Sequence, residues 1–327
     1  MRIITTTGKG NQEDMKTPIY HIGLIRRSKG TICSAVDAMA YILGKNWKSA
    51  YDGQSYDHEN KAGEVVYSRV LAPTDTPEFA FQPFVLAHAI EWCESMKNAQ
   101  LMRHIYFSLP PELSRELQVA LLNEYAQTFV DKGMVAIVAL HDAGLGNPNG
   151  HLLLTMRPLL PDGTFAPKSK NEPLVDGQGQ KIKGKDGRCK RKKIPTTDWD
   201  YMGNGELWRR TWADITNTYY KMAGLDLAID YRSLKRQGII RIPTVYLNPT
   251  DHQAERRGER TEIGDLNRWI HAENERREKE ELRQEAINQL LEAFKEKYNG
   301  LAKRKQYLSP QTRATQQFWQ DLHAIES

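Results

Sequence analysis

The sequence predicts an α+β domain: a largely antiparallel sheet with helices packed mainly on one face, followed by charged C-terminal helices. Three observations carry this. Strand-like and helix-like segments alternate through the first 160 residues, in the order strand, helix, strand, helix, strand, helix, strand, strand. The run MVAIVALH (134–141) is continuously apolar and bounded by Gly133 and a glycine-rich turn, as a buried central strand would be. HLLLTMR (151–157) follows that turn closely enough to pair with it as a hairpin.

Taken in order, residues 1–17 read as a polar lead. PIYHIGLI (18–25) reads as a strand, and TICSAVDAMAYIL (31–43) as a helix with a Ser/Thr start. Residues 46–61 are rich in Asp, Gly, Ser and Asn and read as loop. EVVYSRVLA is a second strand, 83–97 a helix and MRHIYFSL (102–109) a strand. In 111–133, Leu117, Leu121, Tyr125 and Phe129 recur every fourth residue and Gly133 provides the stop, the clearest helical signal in the chain. A Pro-, Gly- and Lys-rich insertion occupies about 160–205. A helix over 205–224 follows, with Trp208, Trp212 and Tyr219 on one face as core. Residues 18–260 thus form the main domain and 261–327 a helical extension. In that extension HAENERREKEELRQEA is polar all round, INQLLEAFKEKY regains an apolar stripe, and Ser309-Pro310 starts a last helix.

Composition narrows the function classes. No apolar run approaches the roughly 20 residues that span a bilayer, and the N-terminus lacks the apolar core of a signal peptide. Cys33, Cys93 and Cys189 are odd in number and widely spaced, which argues against a disulfide framework or a zinc knuckle and fits the cytoplasm. The net charge is +5, but KIKGKDGRCKRKK (181–193) alone holds eight Lys/Arg against one Asp, leaving about −2 for the rest. Lys181, Lys183, Lys185, Arg188, Lys190, Arg191, Lys192 and Lys193 are therefore candidate contacts to a polyanion; a solvated loop is the competing reading.

The chemistry concentrates in HDAGLGNPNGHLLLTMR (141–157). Alternation along a strand puts Asn149 and His151 on one face, and the hairpin returns His141 to it. Leu152, Leu154 and Met156 then face the covering helices, leaving the three ligand-capable side chains on an open face. Two imidazoles and an amide suit Mg²⁺ or Mn²⁺. Two histidines alone would more often be polar ends of buried strands.

The same stretch resembles the metal-site hairpin of HUH endonucleases, in particular conjugative relaxases of the MobA/MobL (MOB-Q) family. Their pattern is His, a short turn, Asn-Pro-His-x-His, then a strand ending near Thr-x-Arg; Asn147, Pro148 and Arg157 match it in order and spacing. IYH followed by SAVDAMAYILG resembles the first family motif, and NAQLMRHIYFSLPPEL, WRRTWADITN, IDYRSLKRQGIIRIPTVYL and ERRGERTEIGDLNRWI match further blocks in order, covering about 18–275. The resemblance implies an HUH relaxase-like fold over 18–260 with Tyr41 as nucleophile. It implies a metal held by His141, Asn149 and His151, and Arg157 and the basic run on DNA. It further implies a nick in single-stranded DNA at an origin of transfer, and accessory mobilization proteins and a type IV coupling protein as partners. Glu91 is a candidate base for Tyr41, with a solvated helix carboxylate as the alternative, and Asp142 a candidate to orient a ligand or cap the turn. His21 and His104 lie on flanking strands in structural roles, and Trp199 and Tyr201 join the 208–220 aromatics as candidates to stack bases.

Four positions depart from the family pattern: Asn149 for a histidine, Ile42-Leu43 for two polar residues, Arg69 for a glutamate and Tyr246 for a histidine. They support an alternative expectation, a catalytically weak DNA-binding protein acting on origin DNA or as an autorepressor. Rolling-circle initiation or transposition is a third, disfavoured by the downstream blocks.

Overall fold

The computed structural model describes residues 2–5, 18–28, 32–238, 240–245, 247, 251, 254–255 and 257–305. In chain order the first half comprises β1 (Arg2–Thr5), β2 (Tyr20–Arg26), α1 (Ala35–Leu43), β3 (Asn46–Lys48), β4 (Ser55–Asp57), β5 (Val65–Leu71), α2 (Pro83–Cys93), β6 (Gln100–Ser108) and α3 (Arg115–Val130). There follow β7 (Ala136–His141), β8 (Asn149–Thr155), β9 (Ser169–Pro173), β10 (Arg191–Pro195), α4 (Asn204–Met222), β11 (Leu227–Asp230) and α5 (Glu262–Lys305). The chain separates into two compact units, one ending at Ser233 and the other beginning at Leu234.

Five strands form the central sheet in the order β2-β6-β8-β7-β5, every neighbouring pair antiparallel. The expected elements form close to their expected bounds, but the sheet is covered on both faces, not mainly on one. Ala136, Val138 and Leu140 of β7 and Leu152 and Leu154 of β8 join the core made with α3 and α4. Val135, Ile137, Ala139 and Leu153 join the core made with α1 and α2. The reason lies in the apolar run itself: a strand buried on both faces has no polar face to alternate with. The face carrying His141 and His151 is therefore open only at its end, because α1 and α2 cover the remainder.

Local chemistry sets the ends of these helices. Ser34 caps α1, its hydroxyl accepting from Val36 N at 3.1 Å and Asp37 N at 3.4 Å. Gly44 ends it at φ 60°, where a side chain would also meet the Ala62 backbone at 2.6 Å. Ser114 caps α3. In α4, Trp208, Trp212 and Tyr219 are buried, as their spacing predicts.

Three further differences from the sequence expectations are informative. Arg2–Thr5 of the polar lead pair with β11, and residues 6–17 lie outside the described residues. The 46–61 loop contains the β3–β4 hairpin and leads into a 3-10 turn, Glu59–Glu64. The long insertion is a small antiparallel meander: β9 and β10 pair, and bridges Val175↔Lys181 and Lys183↔Cys189 extend the ladder. Its turns are set by Asp176 and Asp186, whose carboxylates accept from Gln178 N (2.9 Å) and Arg188 N (3.1 Å).

In the second unit, α5 is one long, mostly exposed helix. Residues 241–245 run along it, with Ile242 N donating to Asn274 Oδ1 and Val245 N to Asn267 Oδ1, both at 2.8 Å. Tyr246 and the last helix expected from Ser309-Pro310 lie outside the described residues. Among the described residues no helix is long and apolar enough to cross a membrane.

Candidate active site on the α1 face of the sheet

The β7–β8 hairpin brings His141 opposite Asn149, and His151 opposite Ala139. Both imidazoles point to the α1 side and are buried, with ring centroids 4.4 Å apart. Tyr41, in the last turn of α1, stands over them. Its ring centroid is 6.4 Å from that of His141 and 6.2 Å from that of His151. Ile42 and Leu43, apolar where the family pattern is polar, pack into the α1–α2 core and anchor this helix end.

A helix end leaves carbonyls without internal partners, and one of them orients the site. The Ile42 carbonyl accepts from His141 Nε2 at 2.7 Å. That bond requires the proton on Nε2 and leaves the Nδ1 lone pair free to ligate. His151 Nδ1 lies 3.1 Å from His104 Nε2, which leaves His151 Nε2 free. Burial holds all three imidazoles toward the neutral, ligand-competent form. It lowers His141, lowers His151 well below the ordinary value, and takes His104 down to about 4.

Asn149 supplies the observation that tests a metal. Its Nδ2 donates to the Asn147 carbonyl at 3.0 Å, while Oδ1 is buried without a hydrogen-bond partner. An amide oxygen without a partner, on the strand face that carries two imidazoles held toward the neutral form, is a donor set whose chemistry fits a hard divalent ion. Among the described residues, no group of three His, Cys, Asp or Glu side chains could hold a metal; the third donor here is an amide.

Several residues that the sequence left unassigned gather around Tyr41. His58 meets its ring edge-on at 5.4 Å and bonds Asp37 Oδ1 through Nε2 at 2.7 Å. Lys61, paired to Glu64 at 2.9 Å, acts on the Tyr41 hydroxyl electrostatically. Burial raises the Tyr41 pKa, Lys61 lowers it and Glu64 raises it. No local pattern marks His58 and Lys61, because the β3–β4 hairpin and its 3-10 turn bring them to α1. Strand alternation marks His104 as a flanking residue only.

Other candidates are placed away from the reacting group. Glu91 is buried rather than solvated: it accepts from Ser34 Oγ (2.7 Å) and Ala35 N (2.6 Å) and pairs with Arg27 (2.7 Å). It therefore fixes the start of α1 and does not face Tyr41 as a base. Asp142 pairs with Arg115 and accepts from Gly144 N at 2.8 Å, so it caps the turn; Arg115 holds its carboxyl below the usual range. Arg157 pairs with Glu94 at 2.7 Å, engaged by a carboxylate and half-buried. Arg69 shares a strand face with Tyr67 and Leu71, which pack on the α3–α4 side, so its charge is directed away from Tyr41. All eight cations of 181–193 are exposed.

A buried pair of imidazoles thus lies under a helix-borne tyrosine, on the antiparallel sheet of an α+β protein covered by helices. The chain belongs to the MobA/MobL family, which it matches over residues 33–257. It is 30% identical over 278 residues to conjugal transfer protein TraA of Agrobacterium fabrum, covering 79% of this chain and 24% of that one. It is 29% identical over 276 residues to a probable mobilization protein MobA of Bifidobacterium longum, covering 79% and 48%. The chain thus spans between a quarter and half of these relatives. A solved structure titled "Molecular Basis of Vancomycin Resistance Transfer in Staphylococcus aureus" shares the fold, with a TM-score of 0.55 at 23% identity, over 66% of this chain and 98% of that one.

Proposed function

We propose that this chain is a relaxase, nicking and rejoining one strand of DNA at a plasmid or mobile-element origin of transfer. The observation that carries the reading is Tyr41 standing over His141 and His151, with Asn149 paired to His141 in the hairpin register and its Oδ1 without a partner. The Tyr41 hydroxyl attacks one phosphodiester of single-stranded DNA. A bond from its oxygen to phosphorus forms and the bond to the 3′ oxygen breaks. The tyrosine proton is released, the departing 3′ oxygen gains one, and a 5′-phosphotyrosyl link remains. Attack by the 3′ hydroxyl reverses the step, so no bond energy is lost to hydrolysis. Lys61 supplies positive charge beside the hydroxyl, and the Ile42–His141 bond holds helix and hairpin in register. Mg²⁺ or Mn²⁺ on His141, Asn149 and His151 would polarise the phosphate. The exposed run 181–193 holds the DNA backbone, and accessory mobilization proteins and a coupling protein would deliver and export the strand.

One feature favours a second reading, a DNA-binding protein that cuts poorly: Asn149 replaces an imidazole with an amide at the metal position. The test is a covalent protein–oligonucleotide adduct on a denaturing gel, with Mn²⁺ or Mg²⁺ and oligonucleotides tiled across the DNA beside the gene. An adduct with wild type and none with Tyr41→Phe is expected. Salt-sensitive binding with no adduct from any oligonucleotide would favour the second reading.

A further inference from the structure

We propose that a groove between the edge strand β2 and the first turn of α4 is a second binding site for single-stranded DNA, on the sheet face opposite Tyr41. This rests on the reading of the chain as a protein that handles single-stranded DNA. Alternation places Ile22 of β2 and Ile105 and Phe107 of β6 toward the α3–α4 core, and Arg103 shares that face. His104 and Tyr106 face the other way, toward Tyr41. The groove, about 860 Å³, is thus separated from the candidate active site by the thickness of the sheet.

Its floor is a built arrangement rather than a surface accident. The Arg103 guanidinium lies 4.8 Å above the Trp208 ring and donates to Asp200 at 2.7 Å, with only 6% of the side chain exposed. Arg103 Nη1 and Trp208 Nε1 are both buried without an acceptor. Two residues that line the groove thus each keep a donor without a partner, and a strand of phosphates and base carbonyls is rich in acceptors. At the walls stand Arg26 and Arg209; neither forms an ion pair among the described residues. Tyr201 lines the groove with 72% of its surface exposed.

Two arginines without carboxylate partners among the described residues, donors without acceptors and an exposed aromatic ring match a strand of phosphates with unstacked bases. The cations take the backbone and Tyr201 takes a base face. An acidic peptide would satisfy the arginines but leave the ring unexplained. The basic meander offers the converse, since 181–193 contains many cations and no aromatic residue. Strand passing from the Tyr41 face around the β2 edge would enter this groove, so the site holds DNA flanking the nick.

The experiment uses the full chain without divalent metal, so that no cleavage intervenes, and a fluorescent (dT)20 titrated between about 50 and 200 mM salt. Arg26→Gln/Arg209→Gln should lower the salt slope by about 1.4, at about 0.7 for each neutralised phosphate. Tyr201→Ala should weaken binding about tenfold with the slope unchanged, within the range for loss of one stacked base. As a measurement independent of any variant, bromodeoxyuridine photocrosslinking of wild type should map to the peptide containing Tyr201. Wild-type slopes and affinities in both variants, or crosslinks confined to 181–193, overturn the groove. So does a labelled oligoglutamate whose binding the arginine variant abolishes while (dT)20 binding is unchanged, which would make it a peptide site. An adduct from wild type alongside any of these outcomes leaves the relaxase reading standing; wild type that neither binds (dT)20 nor forms an adduct sinks that reading itself.

Discussion

Two hairpin regions of this protein carry opposite kinds of polar residue. The β7–β8 hairpin lies in the middle of the sheet, and its two histidines are 6% and 4% exposed. The β9–β10 meander projects all eight cations of residues 181–193 into solvent. Burial makes the first an instrument of position: its imidazoles are pushed toward the neutral form, held by a helix carbonyl and a neighbouring ring, and cannot turn freely. Exposure makes the second an instrument of affinity, because solvated cations gain from releasing counterions and require no fixed geometry. A small change in the first should abolish a reaction, while several changes in the second should only shade a binding curve.

The largest contrast is expected at Tyr41. Tyr41→Phe removes one hydroxyl from a half-buried ring, so the fold and DNA binding should persist while the covalent adduct falls to background. An adduct of normal yield would move the nucleophile elsewhere, to Tyr20 or Tyr51 first.

His151→Ala should abolish metal-dependent cleavage and spare salt-dependent binding, with Mn²⁺ binding lost in calorimetric titration. Asn149→His, adding a third imidazole, should tighten metal binding and leave nicking intact or faster. Equal Mn²⁺ isotherms for wild type and His151→Ala would make the histidines structural and favour the poorly cutting protein.

Between 149 and 151 the hairpin depends on a missing side chain. A Cβ at Gly150 would stand 2.5 Å from Phe107, whose ring is wedged against Trp212 at 4.2 Å and Tyr125 at 5.5 Å. Gly150→Ala should therefore cost about 1–3 kcal/mol, the usual penalty of overpacking, and lower adduct yield by displacing both neighbours. An unchanged urea midpoint would show that the Phe107 ring can yield.

The smallest effect per residue belongs to the meander. Replacing Lys190, Arg191, Lys192 and Lys193 with Gln should flatten the salt dependence of single-strand binding, by up to about 0.7 in slope for each phosphate no longer neutralised, with thermal stability unchanged. Identical slopes would leave the run as a solubilising surface.

The five strands of the central sheet, the four helices of the first unit and the placement of His141, Asn149 and His151 on one face were legible in the sequence, because each rests on a local rule; β1, the β3–β4 hairpin, β9, β10 and β11 were not. The period of two puts Asn149 and His151 on one side, the spacing of Leu117, Leu121, Tyr125 and Phe129 makes one helix face, and Ser34 and Gly44 bound α1 by their own chemistry. What the sequence left undecided concerns partners far apart along the chain. The continuous apolar run 134–141 read as a buried central strand in a sheet covered mainly on one face; the packing of α1 and α2 against Val135, Ile137 and Ala139 supplied the second layer. Glu91 reads locally as a helix-surface carboxylate, yet it is buried by Ser34, Ala35 and Arg27, 56 to 64 residues away. Likewise the bond from His141 to the Ile42 carbonyl joins residues 99 apart, and neither residue announces the other. Residue type and spacing determine which side chains can reach one face; which faces meet, and which charges lose their water when they do, is settled by burial over the whole chain.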